Sequence, residues 1–255
     1  MTESGIYALT PFTMQDYPGK TACIVWVAGC NMRCRYCHNP DIVFGRAQHD
    51  LGSIIAFLER RRGLLDGLVV SGGEASCWQE LGDLLSHAKG IGYACKIDTN
   101  GLQPDHIEQL FSDDLIDMIA LDYKAPESLF RKVTGVTRFD RFRKTLQLVC
   151  SNHKIAKEIR TTVHTSLLDE SDINSIIDDL VSCGYTGSYF IQNYCADNSR
   201  PTLGQLSTQP RLLDTQLIQK PVQIDVQFRN FKLPRNIITP AQPSPAQAAY
   251  GKNHS

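Results

Sequence analysis

The sequence has no long hydrophobic run. Its longest apolar stretch, ACIVWVAGC at residues 22–30, is far shorter than the roughly 20 residues a membrane-spanning helix needs, so no membrane partner is expected. The opening MTESGIYALT lacks the basic start and apolar core of a secretory leader, and a cytoplasmic location is expected. Charge is balanced at 26 basic and 27 acidic residues, net −1, which argues against a polyanionic partner such as nucleic acid. No internal repeat and no second cysteine cluster occur. Of nine cysteines, Cys23, Cys77, Cys95, Cys150, Cys183 and Cys195 stand singly in apolar or mixed segments, the pattern of reduced, buried thiols rather than of a disulfide framework.

What stands out is CNMRCRYCHNP, residues 30–40, with Cys30, Cys34 and Cys37 separated by three and then two residues. Thiolates so close in sequence can point into one short loop, and soft sulfur selects iron or zinc over magnesium or calcium. A closed structural zinc site needs a fourth ligand. The nearest candidate, His38, is adjacent to Cys37, and adjacent residues rarely ligate one ion.

In chain order, Ile6–Phe12 and Thr21–Ala28 read as extended segments joined by a turn at Pro18-Gly19. The second is apolar on both faces, as a doubly covered parallel strand would be, and feeds the cysteine loop. Helical periodicity marks 50–62, with Arg60, Arg61 and Arg62 at its end complementing the helix dipole. The strand GLVVS (67–71) leads through Gly72-Gly73-Glu74 into a helix from about Trp78 to Lys89. A strand over 93–98 ends in Asp98-Thr99-Asn100-Gly101 before a helix at 104–111. A strand over 118–123 ends with Asp122 and Lys124 on one face. Helices are expected at 139–150 and 171–183, the latter capped by Ser171 or Asp172. Strands are expected at 158–164, with Arg160, Thr162 and His164 on one face, and at 187–191. Beyond Asp197 a helix over 211–219 and a strand over 222–231 form an extension, and the Pro/Ala/Gln/Ser-rich 233–255 is expected to be disordered.

Six strands near 22, 67, 93, 118, 158 and 187 alternate with helices, which predicts an α/β fold with parallel strands and right-handed crossovers. The polar motifs follow the strands, where ligands of such folds bind.

The Cys-x3-Cys-x2-Cys spacing with Tyr36 before the third cysteine resembles the radical S-adenosylmethionine (SAM) superfamily. The DYPG turn (16–19), the HNP after the cysteines, DTNG and the LD-x-K of 121–124 resemble its glycyl-radical-enzyme activating proteins, especially those serving anaerobic ribonucleotide reductase. The resemblance covers about residues 5–195 and implies a partial (β/α)6 TIM-like barrel. It implies one 4Fe-4S cluster on Cys30, Cys34 and Cys37, with one iron left to bind SAM. The Gly72-Gly73-Glu74 segment would hold the amino end of SAM, although Ala75 replaces the usual proline, and Tyr36 would pack near adenine. Asp98, Thr99, Asp122 and Lys124 would line the SAM and substrate end, the two aspartates helping to hold a monovalent cation. In such a barrel Arg160 and His164 would face the cofactor.

The reaction implied is reductive cleavage of SAM and removal of hydrogen from a glycine of a partner glycyl radical enzyme. About 34 residues separate Cys37 from Gly72, too few for a ferredoxin-like insertion. The electron therefore comes from an external flavodoxin or ferredoxin, which Arg33 and Arg35 would meet. Two alternatives stay open. One is a radical SAM enzyme acting on a small molecule or peptide; the other is a non-catalytic iron–sulfur or zinc protein.

Overall fold

A computed structural model describes residues 4–37, 39–195 and 202–231. Eight strands form one sheet in sequence order: β1 (Gly5–Thr13), β2 (Ala22–Ala28), β3 (Gly67–Gly72), β4 (Ala94–Thr99), β5 (Met118–Asp122), β6 (Ala156–Val163), β7 (Ser188–Asn193) and β8 (Asp225–Arg229). β1 runs antiparallel to β2; every later pair is parallel. The sheet is the partial barrel expected, left open between β1 and β8. His38, the 196–201 stretch and the tail 233–255 lie outside the described residues.

The helices are α1 (Pro40–Val43), α2 (Leu51–Arg60), α3 (Leu81–Gly90), α4 (Pro104–Ser112), α5 (Glu127–Thr134), α6 (Phe139–Ser151) and α7 (Glu170–Ser182). Two, α1 and α5, were not expected. α5 is a short helix that buries only Phe130, Val133 and Thr134 and ends on the left-handed Gly135, so its brief apolar stripe looks like loop and turn in one dimension. The helix expected from Trp78 begins at Leu81, because a single 3-10 turn, Ala75–Cys77, intervenes. The cap of α7 is Asp169 rather than Ser171 or Asp172. Its carboxylate accepts from the Ser171 and Asp172 amides, while Asp172 returns a bond to the Asp169 amide, a complete capping box. In 211–219 only one 3-10 turn, Thr215–Leu217, forms.

Alternation along the strands divides the sheet. One face, with Cys23, Val25, Val27, Leu68, Val70, Ile97 and Ile119, packs in the main core beneath the helices. The other face is floored by Tyr17, Ala22, Ile24, Val69 and Met118. Tyr17 of the DYPG turn thus plugs the end of the sheet opposite the cysteine loop, where its ring leaves no room for a Cβ at Gly67.

The C-terminal segment is fastened to α7 by Arg211, whose Nη1 and Nη2 donate to Glu170 at 2.5 and 2.7 Å, and by the Asp214 amide, which donates at 2.6 Å. The arginine hydrogen bonds lead in holding the Glu170 carboxyl down from its ordinary 4.5 to about 2, against a burial effect that raises it. A carboxylate with a depressed folded pKa stabilises above its unfolded pKa and loses that contribution as pH falls through the folded one. Between pH 4.5 and 2 the native protein is therefore expected to lose more stability in urea titrations than Arg211→Met. The advantage of the native protein over the variant should be present above pH 4.5 and gone near pH 2.

Candidate active site

The cysteine loop leaves β2 at Gly29, whose φ of +83° is open to glycine at little cost. Backbone bonds then clamp the loop on two sides. Arg33 N and Arg35 N donate to the carbonyls of Thr134 and Val133 at the end of α5, and Leu203 N and Gly204 N donate to Cys37 O and Arg35 O. Arg33 turns its guanidinium onto Cys30 O and Met32 O, each at 2.7 Å, so this exposed arginine braces the loop it belongs to.

The three thiols border one cleft of about 200 Å³ at the carboxyl ends of the strands. Gly72, Gly73 and Glu74 after β3, Asp98 and Thr99 of β4, and Asp122 and Lys124 at the end of β5 border it too, as do Arg160 of β6 and Tyr36. Residues from five separate segments meet there. His164 does not: it lies just past the end of β6, fully buried, with Nε2 3.1 Å from Ser207 O, Nδ1 2.7 Å from Ser166 Oγ and its ring against Tyr194. Its neighbours make it a structural tie to the C-terminal segment.

Close packing explains the glycines. Gly72 has φ +123°, and a Cβ on Gly73 would stand 2.0 Å from Gly29 O. The β3 turn can thus lie directly on the start of the cysteine loop, with Glu74 N donating to Gly29 O at 3.0 Å.

Glu74, only 2% exposed, spends its carboxylate on the protein. Oε1 accepts from Ser76 N and Oγ and from Thr99 Oγ1, and Oε2 accepts from Asn100 N at 2.7 Å. A carboxylate has about four acceptor positions, two on each oxygen, so Oε1 is fully used while Oε2 keeps one acceptor position open. Burial raises its pKa above the usual range while those donors oppose the rise. The residue joins the β3 and β4 turns. Asn100 continues the chain of contacts to Asn31 at 2.7 Å, beside Cys30.

Sequence patterns passed over Lys96 and Ser71. Lys96 is 2% exposed and 2.5 Å from Asp98, and Ser71 Oγ donates to Asp98 at 3.1 Å. A lysine inside an otherwise apolar parallel strand two residues before an aspartate was the available signal. On the neighbouring strands Arg160 reaches Asp122 at 3.0 Å and Asp98 at 3.5 Å, and Lys124 reaches Asp122 at 3.0 Å. Burial would raise the Asp122 pKa, but Arg160 and Lys124 hold it at about 2.

Burial first, and the nearby Glu74 second, push the Cys30 thiol up to about 12; burial pushes Cys34 to about 11, with Lys124 opposing. Such thiols ionise readily only on a metal, with release of their protons. Among the described residues no three His, Cys, Asp or Glu side chains converge to hold a single ion. Cysteines on an iron–sulfur cluster bind different irons and need only surround it. The donor set is soft and anionic when ligated, and Tyr36, 5% exposed, holds its hydroxyl without a hydrogen-bond partner among the described residues. The cleft fits a cluster with an organic cofactor beside it.

Comparisons with known proteins agree with this geometry. Residues 24–180 match the Radical SAM superfamily. A Methanocaldococcus jannaschii protein provisionally named a glycyl-radical enzyme activating enzyme is 31% identical over 201 residues, 75% of this chain and 79% of that one. The pyruvate formate-lyase-activating enzyme of Clostridium pasteurianum is 28% identical over 182 residues, 68% of this chain and 74% of the relative. The 7-carboxy-7-deazaguanine synthase of Rhodospirillum rubrum is 32% identical over 93 residues, covering 35% and 39%. Among solved structures, Streptococcus suis SuiB bound to S-adenosylmethionine shares the fold with a TM-score of 0.55 at 15% identity. That alignment covers 70% of this chain and 41% of SuiB, so this chain spans less than half of that larger protein. The chain belongs to the radical SAM superfamily, and its homologues include glycyl-radical enzyme activating enzymes.

Proposed function

We propose that this protein is an activating enzyme that cleaves SAM reductively and generates a glycyl radical on a partner enzyme. The observation that carries the reading is the meeting of the three-cysteine loop with the GGE, DTNG and LDYK turns around one cleft, in a chain related to activating enzymes over three quarters of its length. A 4Fe-4S cluster held here would pass one electron from an external reductant to SAM, which would cleave to methionine and a 5′-deoxyadenosyl radical able to remove hydrogen from carbon.

The chain's own residues do the rest. Cys30, Cys34 and Cys37 would hold the cluster, and Gly72 and Gly73 would offer backbone close to it. Glu74 positions both turns, Tyr36 would pack on the adenine side, and Lys124 and Arg160 would bring positive charge toward the carboxylate of SAM. The buried, ion-paired floor excludes water and lowers the local dielectric, which strengthens these contacts. The open edge of the sheet admits a peptide loop, so the substrate is a glycine Cα–H of the partner, where flanking amides stabilise the radical. The partner we favour is an anaerobic ribonucleoside-triphosphate reductase, and the reductant is an external flavodoxin or ferredoxin.

In the anaerobic, reconstituted and reduced protein, 5′-deoxyadenosine is expected on addition of SAM. A glycine-centred doublet in electron paramagnetic resonance is expected only when the partner reductase is also present. Deoxyadenosine without a doublet on that reductase or on pyruvate formate-lyase favours the second reading, a small-molecule or peptide substrate, which the match to a deazaguanine synthase supports. No deoxyadenosine under any condition would remove the catalytic reading.

A further inference from the structure

The floor of the cleft carries a row of alternating charges. Lys96 Nζ stands 2.5 Å from Asp98 Oδ1, and Arg160 Nη1 stands 3.5 Å from Asp98 Oδ2. Arg160 Nε is 3.0 Å from Asp122 Oδ1, and Lys124 Nζ is 3.0 Å from Asp122 Oδ2. Glu158 Oε1 lies 3.7 Å from Arg160 Nη1. Each oxygen of the two aspartates therefore has a base of this chain against it.

These two aspartates are the pair for which a monovalent cation was expected. An inorganic cation needs oxygen lone pairs turned toward it and negative charge left to neutralise. Here three buried or half-buried acids, Asp98, Asp122 and Glu158, face four bases, Lys96, Lys124, Arg160 and Arg229, and the guanidinium of Arg160 already lies between the two aspartates. Arginine suits the place because its planar fork can put different N–H groups on two acceptors and its charge is permanent. A lone ammonium would reach one carboxylate well and the other poorly. The expense of removing two carboxylates from water is offset only where the charges are paired and hydrogen-bonded, as they are here. The residues present do not fit a bound metal cation.

We propose that Arg160 is a built-in counter-ion, occupying the position between Asp98 and Asp122 that a monovalent metal cation would otherwise take, so that this site requires neither sodium nor potassium. Lys96 and Lys124 close the two ends of the row. Loss of Arg160 leaves Asp98 and Asp122 facing each other with one base each, and the space vacated becomes a cation site. The variant should acquire a requirement that the native protein lacks.

The test compares thermal unfolding of the anaerobically reconstituted protein in potassium chloride and in tetramethylammonium chloride at equal ionic strength, without SAM or partner. Tetramethylammonium screens charge but is too large and too weakly coordinating to sit between two carboxylates. The native protein is expected to unfold within about 1 °C of the same temperature in both salts, since no ion-specific binding energy is involved. Arg160→Met is expected to unfold lower in both and to regain roughly 5 °C selectively from potassium, the size of shift that saturating an ordinary ligand site gives. Arg160→Lys, which keeps a charge, should show less than half that selectivity. A merely structural arginine would lower the midpoint without making it depend on which cation is present.

Selective stabilisation of the native protein by potassium would overturn the proposal, and so would an Arg160→Met that responds equally to both salts. If Arg160→Met folds in neither salt, Lys96→Met, which uncovers the Asp98 end alone, is judged by the same comparison. Because SAM is absent from the measurement, the result stands apart from whether the proposed activity is found.

Discussion

Cys34→Ala is expected to lose most of its iron on reconstitution and to lower 5′-deoxyadenosine formation by at least about a hundredfold, more than is typical even for the outer partners of a metal ligand. Cys34 is the informative choice of the three. It is the middle ligand of the loop and the most buried, at 9% exposure, yet its thiol makes no hydrogen bond stronger than a 3.8 Å contact with Met32 Sδ. The loop itself is held by backbone bonds from Thr134, Val133, Leu203 and Gly204 that do not involve the thiol. Alanine therefore removes a ligand while leaving the scaffold, and the unfolding free energy without cluster should change by less than about 1 kcal/mol. Iron content, the visible cluster absorption and deoxyadenosine should fall together. Deoxyadenosine production unimpaired in this variant would mean that the cysteine loop is not where SAM reacts.

Gly73→Ala should be as damaging by a different route. Its Cβ would lie 2.0 Å from Gly29 O and 2.7 Å from Gly29 C, both backbone atoms at the entry to the cysteine loop, so no side-chain rotation can relieve the overlap. The β3 turn and the loop must move apart. That movement breaks the Glu74 N to Gly29 O bond and shifts Glu74 away from Thr99 and Asn100. A loss of roughly 3 kcal/mol, or six to twelve degrees in midpoint for a domain of this size, is expected together with poor cluster retention. Gly90→Ala is the matched control. Nothing lies within 4 Å of its added Cβ at the end of α3, and it should be neutral or slightly stabilising. Similar behaviour of the two variants would show that the tight approach at Gly73 does not matter.

Short-range patterns were legible where a single strand or loop carried them. All eight strands fall within a few residues of their expected places because β2, β3 and β5 are apolar on both faces and their turns are marked by Gly, Asn or Pro. α5 escaped notice because only eight residues carry its stripe. The cap of α7 moved to Asp169 because Ser171, Asp172 and Asp169 are all competent, and only the three-dimensional entry of the chain selects among them. His164 seemed to share the inward face with Arg160 and Thr162. The strand ends at Val163, and once alternation stops the side chain is placed by Ser207 and Tyr194, 43 and 30 residues further along the chain.

By itself the sequence determined the cysteine spacing, the order of strands and helices, and the placement of each motif after a strand. These depend on neighbours within a dozen residues, on side-chain periodicity and on the chemistry of sulfur. Only the tertiary structure decided how the collected groups are employed. Glu74 turned out to clamp two turns, and Lys96 became part of the site. The charges of Asp98 and Asp122 were met by Arg160, which is 62 and 38 residues distant in the chain. Electrostatic and hydrogen-bond partners are fixed by which strands lie abreast and in which register, since these interactions act over a few ångströms of space and are blind to separation along the chain.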